Sequence, residues 1–159
     1  MAGKYFQSFE HLLRADPTYP QSQNVSKFVN CIMREGKRSL AQGIVYRAFG
    51  LIKAKVGDKD PIEVFEAAVE NVKPVVEVRS KRVGGANYQV PVEVNRKRQR
   101  ALAFRWILEA AREKKGKPLH RTLAEELLAA FNREGGAMAK RDNTHKMAEA
   151  NKAFAHFAW

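Results

Sequence analysis

The chain has 159 residues, 45% of them hydrophobic, which bounds it to one globular domain with enough apolar side chains for a core. Lysine and arginine total 29 against 17 acids, a formal net charge of +12, so the expected partner is a polyanion. The single cysteine excludes an internal disulfide, and the absence of a bilayer-length apolar run or a signal-peptide core points to a soluble intracellular protein.

Residues 1–21 read as an irregular N-terminal arm broken by Pro17 and Pro20, in which Phe6, Phe9, Leu12 and Leu13 form a short helical patch or a docking strip. Ser22 is placed to cap a first helix that runs to about residue 35, with Val25, Phe28, Val29 and Ile32 as its apolar stripe. Cys31 lies among them and reads as a small core residue. Gly36 suits the helix end. The spacing predicts a second helix over 39–55 with Leu40, Ile44, Val45, Ala48, Leu51 and Ile52 inward, ended by Gly57. Asp60-Pro61 is an N-cap followed by proline at the first helical position, and starts a third helix through Ile62, Phe65, Ala68, Val69 and Val72. Pro74 stops it.

The stretch 75–94 has a different period. Two β-branched runs flank Gly84-Gly85 and predict a hairpin. A two-residue loop would set the cations Arg79 and Lys81 against Val90 and Tyr88. A three-residue loop, Gly84 to Ala86, pairs Val76 with Val94, Val78 with Val92, Ser80 with Val90 and Arg82 with Tyr88. Apolar matching favours the longer loop, at the cost of facing Glu77 with Glu93. Pro91 fits because both strands of a ribbon are edges. A valine base should then lean on helices while the tip, with Arg79, Lys81, Arg82, Tyr88 and Gln89, reaches beyond the body.

Asn95 caps a fourth helix over about 96–115, with Ala101, Phe104, Ile107, Leu108 and Ala111 buried and Trp106 half-buried. Arg96, Lys97, Arg98 and Arg100 crowd its N-terminus without an acid among them, where the helix dipole disfavours cations. Phosphates would compensate. Arg98, Arg105 and Arg112 recur at heptad spacing on one stripe. From Arg79 to Arg105 there are eight cations and one acid, Glu93. A fifth helix covers 119–132 with Leu123, Leu127, Leu128 and Phe131 inward. A last one covers 137–155, with Met147, Ala150, Phe154 and Phe157 inward and Arg141, His145 and Lys152 on the outer stripe. The fold class is therefore mainly α: a six-helix bundle with one protruding two-stranded hairpin between the third and fourth helices.

The run Arg79-Ser80-Lys81-Arg82-Val83-Gly84-Gly85-Ala86-Asn87-Tyr88-Gln89-Val90-Pro91-Val92-Glu93-Val94 resembles the signature of bacterial-type small-subunit ribosomal protein seven. Asp16-Pro17-Thr18-Tyr19, the turn Gly36-Lys37-Arg38-Ser39 and the run from Thr144 to His156 resemble the same family. The resemblance implies a structural, non-enzymatic constituent of the small ribosomal subunit. Such a protein is a primary binder of the 3′ major (head) domain of small-subunit ribosomal RNA, nucleates head assembly, and lies near the exit site close to messenger and transfer RNA. It implies small-subunit proteins nine and eleven as neighbours, and a ribosome-bound location in the cytoplasm or an organelle. By position, Lys37, Arg38, Arg79, Lys81, Arg82, Arg96, Arg98, Lys140, Arg141 and Lys146 become RNA contacts.

The residues themselves suit binding better than chemistry. His11, His120, His145 and His156 have no second ligand at helical spacing, so no metal site or cofactor is expected. Asp142 with His145 is an ordinary i,i+3 pair on a helix. No nucleophile elbow or phosphate loop occurs, which argues against an enzyme. The expected interface joins the hairpin face, the start of the fourth helix with Lys97, Arg100 and Arg105, the Lys37-Arg38 turn, and Lys140, Arg141 and Lys146. Tyr88 at the tip would stack on an unpaired base. A monomer that meets RNA, with no membrane partner and no homo-oligomer, is the first reading. A winged-helix-like DNA-binding regulator is the alternative, disfavoured because few Asn or Gln accompany the cations for base reading.

Overall fold

The structure is a computed structural model that describes residues 22–57 and 59–158. The expected arm over 1–21 lies outside the described residues. The remaining order is α1 (Gln23–Ile32), α2 (Arg38–Val56), α3 (Pro61–Val72), β1 (Val76–Val83), β2 (Ala86–Glu93), α4 (Arg96–Glu113), α5 (Leu119–Phe131), α6 (Gly136–Ala150) and a C-terminal 3-10 helix, Lys152–Phe157. This is the mainly helical architecture expected, with the antiparallel hairpin between the third and fourth helices.

The start signals act as their chemistry predicts. The Asp60 carboxylate accepts from the Ile62 N–H at 3.0 Å, and the Asn95 side chain accepts from the Arg98 N–H at 2.9 Å. The Phe28 and Phe65 rings lie 5.2 Å apart, Phe28 and Phe104 5.2 Å, and Phe49 and Phe65 5.7 Å. These four rings come from α1, α2, α3 and α4, and tie those helices into one apolar cluster. Helix α5 packs against α2, α3 and α4 and inserts Leu123 and Leu127 between them.

Several expectations fail for local reasons. Helix α1 ends at Ile32 rather than near residue 35, because Met33 leaves helical geometry (ψ 135°); Glu35 (φ 53°) and Gly36 (φ 71°) then adopt left-handed conformations in the turn to α2. Ser22 precedes α1, but its hydroxyl donates to Glu66 Oε1 at 2.7 Å and does not cap the helix. Cys31 is exposed, since Phe28, Val29 and Ile32 already fill the inward positions of α1. Leu40 is 63% exposed; Ala41, Val45, Ala48, Phe49 and Ile52 form the buried stripe of α2. In α4, Leu102 and Ala103 are buried and Ala101 is exposed.

The last helix is also shorter than predicted. Asn151 donates from its side-chain amide to the Met147 carbonyl at 2.8 Å, and the chain tightens into the 3-10 helix. Met147 is 53% exposed and Ala150 is exposed, while Ala148 takes the buried position.

One buried polar contact holds the α5–α6 corner. Glu126 is fully buried; its Oε1 accepts from the Ala137 N–H at 2.9 Å, and its Oε2 lies 2.8 Å from Lys114 Nζ. A carboxylate at the first turn of α6 also meets the positive end of the helix dipole. Gly135 has φ 95°, and a Cβ there would lie 2.8 Å from Glu126 Oε1. Glu126→Ala should therefore cost roughly 3 kcal/mol in urea unfolding, from an unmade N–H bond plus a cavity. Glu126→Gln, which keeps an acceptor for Ala137, should cost less.

Candidate nucleic-acid interface

Turn chemistry, not apolar matching, sets the hairpin register. Gly84 (φ 58°) and Gly85 (φ 89°) form a two-residue loop with both central residues at positive φ, the geometry that matches the right-handed twist of paired strands. The pairs are therefore Val76 with Glu93, Glu77 with Val92, Val78 with Pro91, Arg79 with Val90, Ser80 with Gln89, Lys81 with Tyr88 and Arg82 with Asn87. The three-residue loop, with its Val76–Val94 pairing, is corrected, and the unfavourable Glu77–Glu93 pairing disappears with it.

This register puts Glu77, Arg79 and Lys81 on one face with Val92, Val90 and Tyr88. That face turns toward the protein: Glu77 is 7% exposed and Val90 is buried. The Glu77 carboxylate takes two guanidiniums, Arg79 at 2.5 Å from the same strand and Arg98 at 3.2 Å from the first turn of α4. At the hairpin base, the Val75 N–H donates to His145 Nε2 on α6 at 3.1 Å. The opposite face carries Ser80, Arg82, Asn87 and Gln89, of which all four are exposed.

The inner face is covered well past its base. Tyr88 is half-buried with its ring centroid 5.3 Å from Phe154 and 5.1 Å from Phe157, and Lys81 Nζ donates to the Phe157 carbonyl at 2.8 Å. The expected projection of the ribbon is thus limited to the turn and the outward side chains. Phe154 and Phe157 do face the body as predicted, through the hairpin.

The cations of α4 divide between two sides. Arg98 goes to the hairpin. Arg100 reaches α1, donating to Asn24 Oδ1 at 3.3 Å. Arg38 donates to Ser26 of α1 at 3.3 Å, and Arg112 to the Ile32 carbonyl at the end of α1 at 3.3 Å. Burial, then the positive charges of Arg100 and Lys97, lower the pKa of Lys27 on α1. Although Cys31 is exposed as a residue, partial desolvation of its thiol raises the pKa, opposed by the nearby Arg100 and Arg105. Lys27, Cys31, Lys97, Arg100 and Arg105 therefore share one electropositive flank. The side chains of Arg82, Arg96, Lys97, Arg105 and Lys146 make no hydrogen bond or ion pair with any described residue.

The cations on α6 are in other surroundings. Lys140 bridges Glu109 at 3.3 Å and Glu113 at 2.6 Å on α4. Burial lowers its pKa, but the hydrogen bonds to Glu113 and Glu109 outweigh that and leave it raised. Arg141 binds Asp142 at 2.7 Å and the Asn71 carbonyl at the end of α3. Asn71 in turn donates to the Ala130 and Phe131 carbonyls of α5. Lys37 pairs with Glu35 at 2.7 Å. The expected residues thus do not form one uniform set: Arg98 and Arg100 link α4 to the hairpin and to α1, whereas Lys140 and Arg141 are engaged in holding helices together.

Known proteins share this chain's sequence over most of its length. The profile of the family described as ribosomal protein S7p/S5e matches residues 6–152. The small ribosomal subunit protein uS7 of Rhodopirellula baltica is 60% identical over 148 residues, covering 92% of this chain and 94% of that protein. The uS7 proteins of Thermotoga neapolitana (58% over 144 residues; 91% and 92% covered) and Moorella thermoacetica (57% over 145 residues; 91% and 92% covered) are similar to it as well. The chain belongs to the S7p/S5e family. These relatives are bacterial, in accord with the bacterial type expected from the hairpin run.

Within this S7p/S5e chain, sequence reasoning passed over two residues of the candidate interface. Glu77 sits two positions before Arg79, hence on the same strand face, and that period-2 signal marks it as an intrastrand partner. Lys27 lies on an α1 stripe with Asn24 and Cys31, spaced three and four apart. No helix among the described residues is long and apolar enough to cross a membrane.

The division of α4 has a thermodynamic signature. Arg96→Ala, Lys97→Ala and Arg105→Ala should each leave unfolding free energy within about 0.5 kcal/mol of the parent. Arg98→Ala should lower it by about 1 kcal/mol, because the nearly buried Glu77 loses one of its two partners. Urea denaturation of the four variants reads the difference.

Proposed function

We propose that this chain is a structural, non-enzymatic component of the small ribosomal subunit that binds ribosomal RNA through the outer hairpin and the α4–α1 flank. The observation that carries the reading is the group Arg96, Lys97 and Arg105: three cations beside an acid-free helix start, with no partner among the described residues. Water hydrates these exposed cations in the free protein; crowded near the positive end of a helix dipole, they gain from a polyanion that neutralises them and releases counterions. Membership of the S7p/S5e family supports ribosomal RNA as that polyanion. At the finer level, the resemblance supports the 3′ major domain as the RNA segment, with assembly of the subunit head as the consequence. It supports a position near the exit site, close to messenger and transfer RNA and to small-subunit proteins nine and eleven.

In this proposal Arg82 and Gln89 approach RNA from the outer hairpin face, and Lys27 joins the α4 cations. Arg98, Arg100 and Arg38 position the interface from within it. The triple variant Arg96→Ala/Lys97→Ala/Arg105→Ala should bind a small-subunit ribosomal RNA fragment more weakly, with the logarithmic salt slope flattened by up to about 0.9 for each phosphate no longer neutralised. An unchanged slope removes α4 from the interface. At fixed salt, structured RNA should be preferred to duplex DNA; the reverse order favours the winged-helix reading.

A further inference from the structure

We propose that the C-terminal 3-10 helix is a strut that sets the angle of the hairpin toward RNA, with Phe154 and Phe157 as positioning residues; this rests on the RNA-binding reading above. A two-stranded ribbon alone is marginally stable and gains its shape from what covers one face. Here the inner face is held at two levels. At the base, Glu77 is fixed by Arg98, and Val75 by His145. Nearer the turn, the paired residues Lys81 and Tyr88 meet the 3-10 helix, through the Phe157 carbonyl and through the two phenylalanine rings. Lys81 lies four steps along the strand from Glu77, about 13 Å at 3.3 Å per residue. A ribbon held at one level pivots about it; one held at two levels on the same face does not.

The local structure of the C-terminus serves this contact. Asn151 ends α6 by taking the Met147 carbonyl with its own side chain. In the 3-10 helix that follows, residues three apart eclipse, so Phe154 and Phe157 stand on one side and both reach Tyr88. His156 closes the turn through Nδ1 on the Ala153 carbonyl at 2.8 Å. The Tyr88 ring is thereby occupied by protein. Its part is to receive the strut, and the outward Arg82 and Gln89 are what the strut aims.

The test uses the full chain with Phe154→Ala/Phe157→Ala, and with Phe154→Leu/Phe157→Leu, which keeps apolar cover. Hydrogen exchange of the free proteins, and affinity with its salt slope on a small-subunit ribosomal RNA fragment, are measured for both and for the parent. In the alanine variant, amides of β1 and β2 should exchange at least about tenfold faster while those of α5 keep the parent rate. Its RNA affinity should fall roughly tenfold, with a shallower salt slope as the hairpin cations disengage from phosphates. The leucine variant should recover most of each. If the double alanine variant does not fold, Phe157→Ala alone carries the same readouts. Parent-like exchange, affinity and slope in the alanine variant overturn the strut while leaving RNA binding intact. A parent that fails to bind the fragment overturns the RNA reading instead, and hairpin exchange still decides whether the strut exists.

Discussion

The non-helical part of this molecule depends on where one carboxylate lands. Two left-handed glycines, Gly84 and Gly85, dictate a two-residue turn, and that turn places Glu77 on the inner face of the hairpin. A carboxylate so little exposed must be paired, because desolvating an unpaired charge costs several kcal/mol. It finds Arg79 on its own strand and Arg98 on α4. The second of these joins the ribbon to the helix that carries most of the nearby positive charge. Such a pair need not add much net stability, since desolvation offsets the attraction. Its effect is geometric: it decides where the hairpin leaves the bundle.

The same constraint divides the cations by role. Arg98, Arg100, Arg38 and Arg112 each donate to a protein group in a neighbouring element, so they fix distances between the hairpin, α1, α2 and α4. Lys97, Arg105 and Arg96 stay without a direct partner among the described residues, and Lys27 is crowded by like charge. Cations that the fold brings close together raise the potential of the flank without spending their donors. An anionic ligand bound there relieves repulsion that folding has already accepted.

Much of the fold was legible because its signals are local. The Asp60-Pro61 and Asn95 caps mark two helix starts that the structure keeps, and the 3.6-residue stripes through Phe28, Phe65, Phe104 and Leu127 lead to side chains that are buried. The candidate interface was legible as a composition but not as an arrangement. Arg98, Arg105 and Arg112 share a stripe in the sequence, yet Arg98 turns to the hairpin and Arg112 to the end of α1. Lys140 and Arg141 read as free cations because Glu109, Glu113 and the Asn71 carbonyl are distant in sequence.

By itself, the sequence determined the element order, the helical core stripes, the hairpin and its glycine turn, the excess of charge and the family. These follow from periodicity, capping and a long run of specific residues, all of which act over a few positions. The tertiary structure decided the pairing of Glu77 with two arginines, the exposure of Leu40, Cys31 and Met147, and the engagement of Tyr88 by Phe154 and Phe157. Those outcomes turn on which surfaces meet across the fold. A carboxylate or a ring whose best partner lies on another element carries no trace of that partner in its own neighbourhood of the chain.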